Sequence, residues 1–182
     1  MNYLGLESLE NKSFRDLLMT YFSEEKLPDT MVLNSGLHDG IRWQSVRRFK
    51  LAAEYCSAFW ETVIREWRHK GKRLPSIFYR TTIATGGYAR DLAYNPSKME
   101  VFNNILVEKL TEKGILVGGG VIDDFDMTFP WHYDNRCNDG VHYGRAPLKA
   151  QWRDGQIGHQ YFVDLMLSQV LLNGVDAGAR RR

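Results

Sequence analysis

Hydrophobic and polar positions along the chain alternate between a helical and an extended spacing. Apolar side chains three and four residues apart predict amphipathic helices over residues 6–24, 41–70, 97–113 and 159–173. Short runs of β-forming residues predict buried strands at residues 30–34, 76–82 and 115–123. Residues 124–158 show neither spacing and are predicted to be mainly loop. Strands that alternate with helices indicate an α/β fold with a parallel sheet.

The length of 182 residues predicts a single domain over residues 1–182. Hydrophobic residues make up 43% of the chain, which is enough for a core, and the net charge of +2 favours no nucleic-acid partner. No apolar run approaches the roughly 18 residues that a membrane span needs, and the N-terminus lacks the features of a signal peptide. The localisation therefore stays open. Cys56 falls on a predicted buried helix face, so it and Cys137 are predicted to be free thiols.

The most polar part of the chain is residues 132–143, which contains two histidines. Asp139 precedes His142 by three positions with a glycine between them, so the carboxylate can accept the imidazole Nδ1–H. That bond fixes the tautomer and stabilises the imidazolium that forms when Nε2 takes a proton. A metal site is the alternative, with the ligands His132, Asp134, Cys137, Asp139 and His142. Their spacing matches no familiar zinc pattern, so we predict no metal.

The segment Asp139-Gly140-Val141-His142, followed by a final helix, resembles the last motif block of the SGNH (GDSL-like) hydrolases. The closest resemblance is to the PC-esterase branch, and it extends over residues 26–173. It implies a three-layer α/β/α flavodoxin-like fold without a cofactor. It also implies an esterase or acyltransferase that acts on an acyl ester of a carbohydrate, with His142 as general base and Asp139 as the acid that orients it.

The third motif block of that family is Gly-x-Asn-Asp, whose asparagine donates to the oxyanion. This sequence has Gly36-Leu37-His38-Asp39, with a histidine in the place of the asparagine. His38 could donate through a ring N–H, and Asn34 lies two residues before the glycine. The resemblance therefore implies three candidates for oxyanion stabilisation, which are Asn34, Gly36 and His38.

The nucleophile of the family, a serine in Gly-Asp-Ser, has no counterpart in this sequence. Ser8 and Ser35 are weak candidates, and they lie only 27 positions apart, too close for the missing strand and crossover between them. We therefore expect the first strands to be lacking, and an N-terminal segment or a partner chain to supply the serine. The alternative is a rearranged pseudoenzyme that binds glycans without catalysis. Its sugar-stacking candidates are Trp131, Tyr133, Tyr143 and Trp152, and at least half of them are expected to pack in the core instead.

Overall fold

The computed structural model describes residues 9, 11–22, 27–86, 92–133, 141, 143 and 158–180. Its helices are α1 (Lys12–Phe22), α2 (Asp39–Arg42), α3 (Val46–His69), α4 (Pro96–Glu112), α5 (Asp124–Thr128) and α6 (Gly158–Arg180). Its strands are β1 (Thr30–Leu33), β2 (Ser76–Arg80) and β3 (Gly120–Ile122). Two 3-10 turns cover Leu92–Tyr94 and Phe129–Trp131. The predicted α/β class is confirmed. None of the helices that the structure describes has the length and apolar character that a bilayer crossing requires.

The three strands form a parallel sheet in the order β1-β2-β3. Thr30 lies opposite Ser76, and Phe78 lies opposite Gly120. Because spatial order equals chain order, α3 and α4 cross over on the same face, and the carboxyl ends of all three strands meet at one edge. Within the described residues, β1 pairs with β2 alone. The flavodoxin-like arrangement, with further strands beside β1, stays a prediction.

The main core lies between the sheet and the helices α3 and α4. Ile77 and Tyr79 of β2 are fully buried in it, and the rings of Phe49 and Phe102 stack at 3.5 Å between their centroids. Cys56 is buried on the face of α3 that packs into this core, as predicted, and its burial raises the pKa of the thiol to about 12. A thiol with such a pKa is almost wholly protonated near neutral pH and therefore unreactive.

Helix α6 covers the opposite face of the sheet. Side chains alternate along a strand, so Phe78 points away from the core that contains Ile77 and Tyr79. A Cβ atom on Gly178 would lie 2.6 Å from the ring of Phe78, and one on Gly174 would lie 3.2 Å from Ile122. The two glycines, four residues apart on one side of the helix, thus let α6 approach the sheet closely. Helices on both faces make three layers.

Element boundaries differ from the sequence predictions at several places. The strand predicted at 115–123 is confined to Gly120–Ile122, because Gly118 turns the chain with φ +60°. The helix predicted at 41–70 divides into α2 and α3 where Trp43 and Ser45 are extended. The final helix continues to Arg180 instead of ending at 173. The segment predicted to be mainly loop includes α5, because the Asp123 side chain caps its first turn.

Candidate functional site

The turn that follows β1 is tied to the end of β2. The Asn34 side-chain Nδ2 donates to the carbonyl of Arg80 at 2.8 Å. The carbonyl of Ser35 accepts two hydrogen bonds, from the hydroxyl of Tyr79 at 3.0 Å and from that of Thr82 at 2.8 Å. Ser35 is buried, with 9% of its surface exposed. One amide N–H of Asn34, an oxyanion candidate, therefore holds the turn.

Gly36 is required by the same turn. Its φ is +134°, and a Cβ atom there would lie 2.5 Å from Oγ1 of Thr82. Next in the chain, His38 is exposed, whereas Asp39 is fully buried and its carboxylate accepts the indole N–H of Trp43 at 3.1 Å. The imidazole of His38 is thus accessible to a ligand, and Asp39 has a structural contact. The oxyanion roles of Gly36 and His38 stay predictions.

A buried asparagine fixes the chain just after β2. Asn103 of α4 accepts the backbone N–H of Thr82 at 2.8 Å and donates to the Thr82 carbonyl at 2.8 Å. Both polar groups of one peptide residue are therefore satisfied by one side-chain amide. Asn103 falls in the helix predicted at 97–113, whose pattern gives no sign of this contact. Its contact with Thr82 joins residues 21 positions apart, which no local pattern reveals.

Asp123, the residue after β3, caps the first turn of helix α5 and also binds Thr81, the residue after β2. The Asp123 carboxylate accepts the backbone N–H groups of Phe125 and Asp126, each at 3.2 Å, and the hydroxyl of Thr81 at 3.0 Å. The Thr81 hydroxyl oxygen in turn accepts the N–H of Phe125 at 2.9 Å. A capping aspartate of this kind satisfies N–H groups that a helix leaves open at its start. Asp123 therefore holds the start of α5 next to the carboxyl end of β2 through these hydrogen bonds.

Asp124 is a buried carboxylate beside an arginine at this edge. It is 1% exposed, and its Oδ2 lies 3.3 Å from Nε of Arg80. Neither of its carboxylate oxygens accepts a hydrogen bond from a described residue. Burial raises the pKa of Asp124 to about 6, against the opposing effect of the Arg80 charge, and the neighbouring Asp123 adds to the rise. The sequence analysis did not identify this pair.

Val141 and Tyr143, which flank position 142, are both bound to the segment after β2. The Tyr143 hydroxyl lies 2.8 Å from the carbonyl of Ala84 and 3.2 Å from that of Thr128. The N–H of Gly86 donates to the carbonyl of Val141 at 3.3 Å. Val141 and Tyr143 are therefore bound to residues 84–86, four to six positions beyond the end of the central strand.

Several predicted site residues lie outside the described residues. They are Asp139 and His142 of the acid–base pair, the weak nucleophile candidate Ser8, and Asp134 and Cys137 of the alternative metal site. His132 is described, and it is buried with its Nδ1 bonded to the carbonyl of Phe129. That contact is the one expected of a structural loop histidine.

Exposed aromatic rings lie next to His132. Phe129 is 46% exposed and Tyr133 is 72% exposed, and their ring centroids lie 4.5 and 3.8 Å from that of His132. Trp131 is half-buried, and Trp152 lies outside the described residues. The prediction that Tyr143 stacks on sugars is wrong, because its ring is buried and its hydroxyl is bonded inside the protein. Phe129 was missed because nothing in its local sequence distinguishes a surface ring from a core ring.

The carboxyl edge of the sheet thus brings together residues 34–39, 81–86 and 123–128 with Val141 and Tyr143. Such an edge is where parallel α/β folds bind their ligands. No family model, no curated protein and no solved structure matches this chain. The interpretation of the site therefore depends on its geometry and on the motif resemblance.

Proposed function

We propose that this chain carries the acid–base part of an SGNH-type esterase site, which acts on acyl groups of a carbohydrate. The observation that supports it best is the attachment of Val141 and Tyr143 to Gly86 and Ala84. These two residues surround the proposed general base in sequence, and they contact the segment that follows the central strand. Catalytic groups of parallel α/β proteins are expected at the carboxyl ends of the strands.

The turn with the oxyanion candidates is attached to the same segment. Thr82 contacts the carbonyl of Ser35, and Ala84 contacts the hydroxyl of Tyr143. Two residues of extended chain span at most about 7 Å. The two motif blocks are therefore bound to points on the chain that lie no more than about 7 Å apart.

In the proposed reaction, His142 takes the proton of a serine hydroxyl as the serine oxygen bonds to the acyl carbon. Asp139 orients the imidazole and stabilises its charged form. The oxyanion that develops accepts hydrogen bonds from donors in the turn, for which Asn34, Gly36 and His38 are the candidates. His142 then gives the proton to the sugar oxygen, whose bond to the acyl carbon breaks. A water molecule repeats the sequence and releases the acid.

The nucleophile is the least defined part of the proposal. Ser35 lies at the carboxyl end of β1, where a nucleophile belongs, although its small exposed surface favours a turn serine. Ser8, or a serine from a further segment or a partner chain, is the alternative. A fluorophosphonate probe, which labels activated serines, followed by mass spectrometry would identify the residue that reacts.

Hydrolysis of p-nitrophenyl acetate tests the proposed function. His142→Ala should lower kcat/KM by about 1000-fold or more, as expected for loss of a triad base, and Asp139→Asn should lower it by a similar order. His69→Ala, which changes an exposed histidine at the end of α3, is the matched control and should leave the rate unchanged. An undiminished rate in His142→Ala would contradict the proposal, and a wild-type chain that hydrolyses no ester would exclude Ser8 and Ser35 and leave the nucleophile to a further segment or a partner chain.

The exposed rings of Phe129 and Tyr133 favour a second candidate, a glycan-binding module without catalysis. Aromatic faces held by a neighbouring ring can stack on sugar rings with little loss of side-chain entropy. Calorimetric titration with acetylated and deacetylated oligosaccharides separates the two candidates. A module binds both without releasing acetate and loses binding in Tyr133→Ala, whereas an esterase releases acetate.

A further inference from the structure

We propose that Tyr143 is a positioning residue, whose hydroxyl clamps the Val141–Tyr143 part of the chain onto the segment after β2. Its catalytic consequence depends on the proposed function, since it concerns how the acid–base block is held. The clamp itself depends only on contacts between described residues.

The hydroxyl joins two elements at once. Its oxygen lies 2.8 Å from the carbonyl of Ala84, just beyond β2, and 3.2 Å from the carbonyl of Thr128, at the end of α5. One hydroxyl proton is therefore shared between two acceptors, with the shorter contact to Ala84. Only 9% of Tyr143 is exposed, so water has little access to compete for this proton.

Thr128 contributes to the clamp through the backbone N–H of Ala84, the residue whose carbonyl accepts the Tyr143 hydroxyl. Its hydroxyl oxygen accepts the N–H of Ala84 at 2.9 Å, and its own proton goes to the carbonyl of Asp124 at 2.7 Å. The N–H and the carbonyl of Ala84 are thus each bound by a side chain. In a sheet, a neighbouring strand would satisfy such groups, but β3 ends at Ile122. Thr128 and Tyr143 therefore take over that role where the ladder stops.

The ring and the hydroxyl of Tyr143 have separable roles. The ring belongs to a small apolar cluster whose other members are Val163, Ile83, Trp131, Met166 and Leu167. A phenylalanine could fill the same space, so packing alone does not account for the hydroxyl. The other described anchor of this part of the chain is the Gly86 N–H to the Val141 carbonyl, a longer contact of 3.3 Å. The hydroxyl adds a directional contact next to position 142 that the ring cannot supply.

Hydrogen exchange measured by NMR tests the clamp without reference to activity. In Tyr143→Phe, the amide protons of Ala84 and Gly86 should exchange at least about fivefold faster, because the contact that holds their partners is lost. The amide of Thr81, bonded to the Ile122 carbonyl, should be unaffected. Tyr21→Phe, which removes an exposed hydroxyl, is the matched control. Unchanged exchange at Ala84 and Gly86 would overturn the clamp.

Kinetics test the positioning role. Tyr143→Phe should lower kcat for p-nitrophenyl acetate by about tenfold or more, with KM within about twofold and the midpoint of the pH–rate profile displaced. Thr128→Val should act in the same direction, and Thr128→Ser, which keeps the hydroxyl, should restore the wild-type profile. Faster exchange with an unchanged kcat and pH profile would show a purely structural role and overturn the positioning claim. A fully active His142→Ala refutes the proposed function and with it the catalytic consequence, while exchange at Ala84 and Gly86 still decides on the clamp.

Discussion

Replacing Asp124 with asparagine should make the protein more stable above pH 6 and leave it unchanged near pH 4. Asp124→Asn keeps the shape of the side chain and removes a charge that is 1% exposed. In the folded protein the pKa of this carboxyl is raised from 3.8 to about 6, mainly by burial. The folded state therefore binds the proton more tightly than the unfolded state does.

The sign and size of the effect follow from that difference. The contribution of Asp124 to stability is fully present below pH 3.8 and is lost as the pH rises to about 6 and beyond. A difference of roughly two pKa units corresponds to about 3 kcal/mol, which is an upper bound because the structure can relax around the charge. Asn does not titrate, so the variant avoids this loss. The side chain of Arg80 is 38% exposed, so its guanidinium group keeps some access to water without the partner, although the Nε that faces Asp124 is buried.

Urea denaturation followed by tryptophan fluorescence at pH 4, 5, 6, 7 and 8 measures the effect. The free energy of unfolding of Asp124→Asn should exceed that of the wild type by as much as about 3 kcal/mol at pH 8, and the difference should vanish towards pH 4. Asp126→Asn, an exposed position on the same short helix, is the control. A variant less stable than the wild type at pH 8 would refute the reasoning, because the ion pair with Arg80 would then outweigh the cost of burial.

Three further predictions concern packing and reactivity. Gly119→Ala should destabilise the protein by at least about 2 kcal/mol, because its Cβ would lie 2.1 Å from the carbonyl oxygen of Ile77; Gly120→Ala, with no atom within 4 Å, is the control in thermal unfolding. Gly178→Ala should cost more stability than Gly174→Ala in urea denaturation, because its Cβ would overlap the Phe78 ring at 2.6 Å, against 3.2 Å at Ile122; equal losses would contradict the close approach of α6. Cys56 should resist iodoacetamide at pH 8 in the folded protein and react in urea, as read from its peptide by mass spectrometry, since burial raises its pKa to about 12; rapid modification of the folded protein would contradict its burial.

The strands and long helices could be predicted from the sequence because their signals are local. The strands predicted at 30–34 and 76–82 and the helix predicted at 97–113 correspond to β1, β2 and α4 within a few residues. The third strand was overestimated because an apolar run does not show where glycines turn the chain. Gly118 does so with φ +60°, and Gly119 then packs against the backbone of β2.

The site could be predicted only in part, because its contacts join distant positions. The oxyanion candidates Asn34, Gly36 and His38 were predicted from the sequence, and the turn that contains them lies at the carboxyl end of β1. The sequence alone could not show that Asn103 holds Thr82, or that the Tyr143 hydroxyl binds Ala84 across 59 positions. Tyr143 was interpreted as a surface ring because burial depends on the cluster around Val163, which forms only in the folded chain. The roles of Asp139 and His142 stay predictions.

The most direct test of the central claim is acetate release from an acetylated oligosaccharide, followed by proton NMR for the wild type and His142→Ala. A general base at position 142 predicts release by the wild type, once the serine nucleophile is present, and a loss of about 1000-fold or more in the variant. Equal rates in the two proteins would contradict it, as would no release by a wild type whose reactive serine has been identified with the fluorophosphonate probe.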